Sequence, residues 1–374
     1  MKVDIDQATL STLISRTQGI VDRRSTVPML ANVLIDATEA DRIAVSATDY
    51  DLYMQGSCDA RVIKKGKVCI NARDFNEIIK NLPSGMVTLA QDKAGSLAIT
   101  TGSIQYKIHA APPDDFPSLP NLEEVSYFQI DPSDILDIIS HTIFAVASDD
   151  PRIFLNGAFV ELQEDKHIRM VGTDGHRLAK IERSLEKVPK LDHSVIIPRK
   201  GLNEMTKLLG EGISEDEKVE LGFSNTNAHL RRKGLSLIIR LIEGEFPDYK
   251  MVIPKASGNI ATVPRRALID ALRRVSLLSV ERTFGVKMKF SAGSMMIESS
   301  HPDKGESKEV LDVDYDKDKD ELTVGFNAKF FLDALAVIES DDVKLELSDE
   351  LSPCVVHPSD NEEYICVIMP VRVS

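Results

Sequence analysis

The segment VGTDGHRLAKIE, residues 171–182, places an acid, an imidazole and a guanidinium close together, at Asp174, His176 and Arg177. An aspartate beside a histidine can transfer protons as a general acid–base pair, and both side chains can ligate a metal ion. The same side chains on a short turn can also receive a partner protein. The rest of the sequence has to decide among these three kinds of site.

An enzyme site here would need a nucleophile or a second acid, and a group that orients His176. The sequence has no G-x-S-x-G, no H-E-x-x-H and no phosphate-cradling glycine loop. A calcium loop starting at Asp312 would carry Lys317 at its sixth position and Thr323 at its twelfth, where glycine and glutamate are needed. We therefore expect no catalytic residues, no metal and no cofactor, although an acid–base enzyme remains an alternative.

Three copies of one pattern run along the chain. Short β-branched runs end at Ile70, Ile197 and Val324, which are 127 positions apart, and an amphipathic helix follows each. Helical patterns also begin near Ile5, Ile130 and Val263, and alternating strand residues close each unit. This pattern predicts an α+β fold of three repeated domains, each with two amphipathic helices on antiparallel sheet. We place the domains at 1–125, 126–256 and 257–374.

The repeat also divides the opening turn into two parts. Thr48 and Thr173 are 125 positions apart, and a Thr-Asp pair occurs in both copies. The pair therefore predicts a structural role. Gly175, His176 and Arg177 occur only in the second copy, which indicates a functional role for them.

Composition indicates a soluble, cytoplasmic protein without a membrane span, because 28% of residues are charged and no long apolar run occurs. The four cysteines form no C-x-x-C pair, so reduced core thiols are expected. The net charge of −14 argues against a large nucleic-acid footprint. However, the helical segments 10–24, 196–207 and 264–282 carry net charges of +2, +2 and +3.

The three-fold repeat together with GTDGHRLA, EGEFPDYK, GFN and MPVRV resembles the bacterial sliding clamp, the β subunit of DNA polymerase III, over the whole chain. The resemblance implies a non-catalytic processivity factor and a head-to-tail homodimeric ring with helices lining the hole. It implies sliding on double-stranded DNA without sequence specificity. The implied protein partners are the replicative polymerase subunit, the clamp loader, and other polymerases and repair proteins that carry short peptide motifs.

The resemblance also assigns residues to three sites. Its candidates for DNA contact are Arg24, Arg73, Arg152, Phe154, Arg199 and Lys200. Its candidates for a peptide-binding pocket are Thr173, Gly175, His176, Arg177, Leu178, Pro247, Val252, Asn327, Phe330, Leu351, Met369, Pro370, Val371 and Arg372. Its candidates for the dimer interface are Tyr106, Ile108, Leu277, Leu278, Glu306 and Glu309.

Some positions depart from the pattern of this family. Ile153 stands where an aromatic residue is frequent, and Met251 replaces a commonly basic residue. Val371 and Val373 stand where Met and Leu are frequent. We expect the pocket to persist with an altered peptide preference. A repeat scaffold that binds proteins but never DNA remains the second alternative.

Overall fold

The structure is a computed structural model, and it describes most of the chain. The described residues are 1–22, 25–92, 95–120, 125–163, 167–185, 194–212, 217–254, 259–280, 284–315 and 321–373.

The described residues contain six α-helices and many short strands. The helices are Gln7–Thr17 (α1), Ala72–Lys80 (α2), Pro132–Ser140 (α3), Arg199–Leu209 (α4), Arg265–Val275 (α5) and Ala328–Val337 (α6). The strands of the first repeat are Lys2–Asp6 (β1), Asn32–Asp36 (β2), Arg42–Thr48 (β3), Leu52–Asp59 (β4), Arg61–Lys64 (β5), Lys67–Asn71 (β6), Met86–Gln91 (β7), Ser96–Thr101 (β8) and Ile104–His109 (β9). Those of the second are Ser126–Ile130 (β10), Gly157–Leu162 (β11), His167–Thr173 (β12), Arg177–Ser184 (β13), Val195–Pro198 (β14), Val219–Phe223 (β15), Asn227–Arg232 (β16) and Leu235–Arg240 (β17). Those of the third are Asn259–Pro264 (β18), Gly285–Ser291 (β19), Ser294–His301 (β20), Gly305–Asp312 (β21), Asp314–Tyr315 (β22), Leu322–Asn327 (β23), Asp342–Leu347 (β24), Cys354–Pro358 (β25) and Tyr364–Ile368 (β26).

Each repeat has the same basic order: a strand, a helix, three strands, a strand that leads into the second helix, and three more strands. The first and third repeats add one short strand, β5 and β22, before the strand that leads into the second helix. The predicted α+β fold with three repeated domains is therefore confirmed. Short polar side chains start several of the helices, as helix capping requires. Asp6 accepts a hydrogen bond from the amide of Thr9 at 3.0 Å, and Asn71 accepts one from Arg73 at 3.1 Å.

Contacts group the chain into two compact units, residues 1–132 with 200–241, and 133–199 with 242–374. The first unit contains a five-stranded sheet in the order β5-β1-β7-β8-β9 and an eight-stranded sheet in the order β10-β15-β16-β17-β4-β3-β2-β6. In the eight-stranded sheet four strands come from the first repeat and four from the second, and antiparallel pairing of β4 with β17 joins them.

The second unit repeats this arrangement with later strands. Its nine-stranded sheet has the order β14-β11-β12-β13-β26-β25-β24-β18-β22, and β13 pairs with β26 where the second and third repeats meet. Its four-stranded sheet has the order β21-β20-β19-β23. The junction between the first and second repeats and the junction between the second and third therefore pair strands at equivalent positions.

The helices that pack together are held by apolar contacts and by side-chain hydrogen bonds to backbone. Gln7 on α1 donates to the carbonyl of Ile79 on α2 at 2.7 Å, and Gln18 donates to the carbonyl of Ala72 at 3.1 Å. Gly201 on α4 is required by packing, because a Cβ there would lie 2.5 Å from Cγ2 of Ile239.

The prediction that residues 10–24 form a helix is wrong beyond Thr17, where α1 ends. The β-branched side chains of Ile20 and Val21 are buried instead, and Arg23 and Arg24 lie outside the described residues. The segment 196–207 begins as strand and becomes helical only at Arg199.

All four cysteines are free thiols, as predicted. Among the described residues, no helix is both long enough and apolar enough to cross a bilayer.

A buried histidine lies in the eight-stranded sheet. His229 is 1% exposed, its Nδ1 lies 2.5 Å from the hydroxyl of Tyr127, and its Nε2 lies 2.6 Å from the hydroxyl of Ser236. Burial, together with the nearby charge of Arg231, lowers the pKa of His229 to about 4.

This buried imidazole predicts a stability that depends on pH. The unfolded imidazole has a pKa of about 6.5, so between pH 6.5 and 4 the unfolded chain binds a proton that the folded chain does not. Stability is therefore present above this window and is lost as pH falls through it. We expect a loss of about 2 kcal/mol in the free energy of unfolding, measured by urea denaturation. His229→Gln should flatten this dependence, and parallel curves for the two proteins would contradict the assignment.

Candidate functional site

The turn between β12 and β13 is built by the Thr-Asp pair. The hydroxyl of Thr173 donates to the carbonyl of Arg177 at 2.7 Å and accepts from the amide of Gly175 at 3.1 Å. Oδ1 of Asp174 accepts from the amides of His176 and Arg177 at 2.9 and 3.0 Å. These bonds satisfy the backbone of the turn before any ligand is bound.

The first repeat contains the same turn. Thr48 donates to the carbonyl of Leu52 at 2.8 Å and accepts from the amide of Tyr50 at 3.0 Å. Asp49 accepts from the amides of Asp51 and Leu52 at 3.1 and 2.6 Å. The prediction that the Thr-Asp pair is structural is therefore confirmed. Tyr50 has a φ of 77° where Gly175 has 86°, so only the second copy has a residue without strain in this left-handed conformation.

Arg177 is the most connected side chain of the second turn. Its guanidinium pairs with Asp174 at 3.1 Å and with Asp333 at 2.6 Å, and it donates to the carbonyl of Phe144 at 2.6 Å. It also lies over two rings, 5.3 Å from the centroid of Phe144 and 4.6 Å from that of Phe330. Arg177 therefore ties the turn to α6 and to the 3₁₀ turn at 143–145.

An apolar cavity of about 330 Å³ opens beside this turn. It is lined by Arg152, Phe154, Leu155, Thr173, Gly175, Arg177, Leu178, Phe246, Pro247, Tyr249, Val252, Val367 and Met369. Its floor belongs to a packed cluster of Val171, Leu178, Tyr249, Val355 and Val367. A rigid apolar floor with a few polar groups at its rim suits one or two apolar side chains of a ligand.

One rim of the cavity is set by Arg152. Its guanidinium donates two hydrogen bonds to Asp150, both at 2.9 Å, and these bonds lower the pKa of the Asp150 carboxyl to about 2. A Cβ on Gly175 would lie 3.1 Å from the guanidinium of Arg152. Glycine at position 175 therefore allows both the backbone conformation and the close approach of this arginine.

Another rim comes from the last strand and the residues after it. The amide of Met369 donates to the carbonyl of His176 at 2.9 Å, and the amide of Val371 donates to the carbonyl of Gly325 at 2.8 Å. A Cβ on Gly325 would lie 2.4 Å from the carbonyl oxygen of Val371. The segment 369–371 is thus held at both ends by backbone hydrogen bonds.

The structure brings seven of the predicted pocket residues to the cavity: Thr173, Gly175, Arg177, Leu178, Pro247, Val252 and Met369. His176 and Phe330 stack beside it with centroids 6.4 Å apart. Asn327 caps α6, Leu351 is 84% exposed, Pro370 and Val371 follow Met369, and Arg372 is exposed. None of these seven residues, His176 and Phe330 included, lines the cavity, and their part in peptide binding remains a prediction.

The sequence interpretation missed Leu155, Phe246, Tyr249 and Val367 as lining residues. Phe246 and Tyr249 belong to the quoted EGEFPDYK segment, which could have indicated them. Phe246 stacks on Phe159 with centroids 4.9 Å apart, and the hydroxyl of Tyr249 is held 3.0 Å from both Arg169 and Glu161. Burial raises the pKa of Tyr249 to about 12.

The acid–base alternative fails on geometry. The carboxylate of Asp174 is occupied by backbone amides and by Arg177, whereas the ring of His176 stacks on Phe330. The two side chains therefore do not form the hydrogen-bonded pair that proton transfer would require. In the described part of the chain, no group of three metal-ligating side chains is close enough to hold an ion.

The candidates for DNA contact lie in different surroundings. Arg73 is exposed on α2, and Lys200 forms an ion pair with Asp49. Arg199 donates to the carbonyl of Val146. Arg152 and Phe154 line the apolar cavity instead of an open basic surface, and Arg24 lies outside the described residues.

The candidates for the dimer interface are largely accessible. On β9, Tyr106 is 39% exposed and Ile108 is half-buried. Leu277, 75% exposed, and the half-buried Leu278 follow α5. On β21, Glu306 is exposed, whereas Glu309 pairs with Arg274 of its own chain through two hydrogen bonds.

Comparison with known proteins decides the family. Models of the N-terminal, central and C-terminal domains of the DNA polymerase III beta subunit match residues 1–120, 129–248 and 250–372. The chain belongs to the DNA polymerase III β-subunit family, the bacterial sliding clamps. The beta sliding clamps of Pseudomonas aeruginosa and Caulobacter vibrioides are each 31% identical to it over the full length of both chains.

Solved structures of the family share the whole fold. The beta subunit from P. aeruginosa has a TM-score of 0.93 at 30% identity, with complete coverage of both chains. A sliding clamp from Bartonella birtlesii bound to griselimycin has a TM-score of 0.94 at 32% identity, again with complete coverage. The family is the non-catalytic processivity subunit of DNA polymerase III, so the chain is not itself an enzyme.

The contacts of Arg177 predict a measurable loss of stability when this side chain is replaced. Arg177→Gln would leave Asp174 and Asp333 without their cation in a partly buried site, and we expect the free energy of unfolding to fall by about 2 kcal/mol in chemical denaturation. Arg183 is the matched control, because it also pairs with two carboxylates, Asp137 and Glu363, but is more exposed. Arg183→Gln should cost about 1 kcal/mol or less. Equal losses in the two variants would contradict the central role of Arg177.

Proposed function

We propose that two copies of this chain join head to tail into a closed ring that encircles double-stranded DNA. In this proposal the ring slides without sequence specificity. It tethers the replicative polymerase, the clamp loader, and other polymerases and repair proteins through short peptides bound in the cavity beside Arg177. Family membership supports this function, and the pairing of strands between repeats is the observation that carries the ring.

The two junctions between repeats use equivalent strands. The third strand after the first helix of a repeat pairs with the last strand of the next repeat, as β4 with β17 and β13 with β26. The corresponding strand of the third repeat is β21, and the last strand of the first repeat is β9. In the described part of the chain, β21 pairs only with β20 and β9 pairs only with β8.

Unpaired strand edges carry backbone groups that need hydrogen-bond partners, so they favour pairing with another chain. Repeating the junction rule once more pairs β21 of one copy with β9 of a second copy. Because these edges differ, the contact is heterologous and must close into a ring or continue as a filament. Two copies with three repeats each would close it with six equivalent junctions.

The helices carry a repeated charge pattern that suits phosphate contacts. Three helices have a cation, a carboxylate four residues later and a second cation seven residues after the first, so the two cations share a helix face. The cation pairs are Arg73 and Lys80 on α2, Lys200 and Lys207 on α4, and Arg266 and Arg273 on α5. Each face is positive by one charge in a chain of −14. Weak, equivalent phosphate contacts allow sliding, and enclosure supplies retention.

The cavity supports the proposed peptide site. Its apolar floor and the Met369 rim suit Leu or Phe side chains of a peptide. We place Arg152 and Phe154 at this site, where their contacts support a role with peptides more directly than one with DNA.

We propose domain boundaries at 1–125, 126–256 and 257–374, which the ranges of the three matching domain models support. The proposed role at the bacterial chromosome places the protein in the cytoplasm.

The ring predicts an assembly that one surface residue can disrupt. We expect sedimentation equilibrium to give the mass of two chains and small-angle scattering to give an annulus. Leu277→Asp should reduce the mass to one chain, because a charge would enter the proposed apolar contact. After loading, the natural protein should remain on circular DNA and leave linear DNA, and the variant should be retained on neither.

The matched control is Met86→Asp, which adds the same charge at a residue that is 60% exposed and lies outside the proposed contact. This variant should remain a dimer. An unaltered natural protein that sediments as one chain would remove the ring from consideration.

The proposed peptide site predicts that substitutions at two adjacent residues will have different effects on peptide affinity. Val252 lines the cavity, whereas Met251 is 84% exposed and does not. For a fluorescein-labelled octapeptide with adjacent Leu and Phe residues, Val252→Asp should weaken binding at least tenfold in fluorescence anisotropy, because a carboxylate enters an apolar site. Met251→Asp should stay within twofold, and both variants should remain dimers. Similar losses in both would argue against the cavity as the peptide site.

A further inference from the structure

The first compact unit contains a second concavity, which differs in chemistry from the peptide cavity. It encloses about 510 Å³ on the eight-stranded sheet and is lined by Arg42, Gln55, Ser57, Gln129, Lys218, Glu220, Arg231, Arg232, Lys233, Gly234, Leu235 and Ser236. We call it the basic basin. Most of its lining is polar, with five cations and one carboxylate, in a chain whose net charge is −14.

A row of directly paired residues crosses the basin. The strand register places Glu220 opposite Arg231, Arg231 opposite Ser236, and Ser236 opposite Gln55. Directly opposite residues in antiparallel strands point to the same face, so these side chains lie side by side. The row passes through the β4–β17 junction, where the short Ser236 side chain leaves room for a ligand beside Arg231.

Three of the five cations keep their charge available. Arg232 is occupied by Glu217 and by the carbonyls of Leu208 and Glu211, and Lys218 pairs with Asp131. By contrast, Arg42, Arg231 and Lys233 form no ion pair with any residue that the structure describes. Arg231 is held in place by stacking, with its Cζ 4.1 Å from the centroid of the Tyr127 ring.

In the sheet of the second unit the row differs, because Lys180 lies opposite Ile365 where Gln55 of the first unit lies opposite Ser236. There Arg169 lies between Glu161 at 2.9 Å and Glu182 at 2.7 Å. Lys180, which stands 125 positions after Gln55, pairs with Glu182 at 2.8 Å. Arg169 and Lys180 are thus neutralised by carboxylates, whereas Arg42, Arg231 and Lys233 of the basin are not.

We propose that the basic basin binds a small polyphosphate, either inorganic pyrophosphate or the phosphate chain of a nucleotide. Arg42, Arg231 and Lys233 supply three positive charges around a compact concavity, which matches the charge of a short phosphate chain. Glu220, opposite Arg231 at one end of the row, disfavours a long uniform polyanion across it. Ligand binding here is independent of the ring and of the peptide cavity.

The buried His229 orients a hydroxyl toward this ligand. With its proton on Nε2, the imidazole accepts from the Tyr127 hydroxyl and donates to Oγ of Ser236, at 2.5 and 2.6 Å. The Ser236 hydrogen is then left for an anion in the basin. Ser236 and the guanidinium of Arg231 are both fixed by the His229–Tyr127 pair, so this part of the site exists before binding.

The test is isothermal titration calorimetry of the full chain with sodium pyrophosphate at low ionic strength. We expect one site per chain, and at least tenfold weaker binding by the double variant Arg42→Glu, Lys233→Glu. The matched control is Lys64→Glu, Lys65→Glu, which changes net charge equally at exposed residues outside the basin. The control should stay within twofold. Ser236→Ala should weaken binding several-fold, with circular dichroism confirming a folded variant at the titration temperature, because the lost acceptor for His229 also lowers stability.

Further titrations separate the sources of the phosphate. Equal affinity for pyrophosphate and ATP supports recognition of the phosphate chain alone, and tighter ATP binding supports a nucleotide. The proposal is overturned if the natural protein binds no pyrophosphate, or if both charge-reversal pairs weaken binding equally. It is also overturned if an octaglutamate peptide binds the same residues more tightly than pyrophosphate, since the basin would then be a site for acidic peptides.

Discussion

The structure depends on the hydrogen-bond partners that an exposed strand edge lacks until another strand pairs with it. The first and second repeats each present one such edge, on β4 and on β13, and the last strand of the next repeat pairs with it, at β4–β17 and at β13–β26. The large sheets therefore do not belong to single repeats, and the contact-based units cut across the second repeat. Stability and assembly rest on the same backbone groups, because the edges that hold repeats together are of the kind proposed to join two copies.

Function is added to this framework at positions that the framework does not require. The Thr-Asp turn has the same hydrogen bonds in both repeats where it occurs, yet only the second copy has the glycine, the histidine and the doubly paired arginine beside a cavity. The basic basin illustrates the same rule in reverse. Its strands match those of the second unit, but Ser57 stands where Glu182 neutralises Arg169 and Lys180 there. Repeated folds thus show their specific sites as differences between equivalent positions.

Much of this could be predicted from the sequence, because hydrophobic periodicity and repeat spacing are local signals. The six helices and the structural role of Thr173 and Asp174 followed from them. The cavity floor could not be predicted so well, since Leu155 and Val367 are ordinary strand or turn residues whose meeting depends on the pairing of β13 with β26. The end of α1 was missed because apolar residues continue the helical pattern past Thr17 while the chain turns. The family resemblance assigned Arg152 to DNA contact. Its hydrogen bonds to Asp150 and its position at the cavity rim, which only the structure gives, support the proposed role in peptide binding instead.

The bond between the amide of Met369 and the carbonyl of His176 joins residues 193 positions apart. During synthesis the turn leaves the ribosome long before the strand that completes its cavity, because translation proceeds from the N-terminus. A nascent chain therefore carries the turn without a finished binding surface. In the proposed function, client proteins would therefore recognise only molecules whose translation has passed this strand, and unfinished subunits would not compete for them.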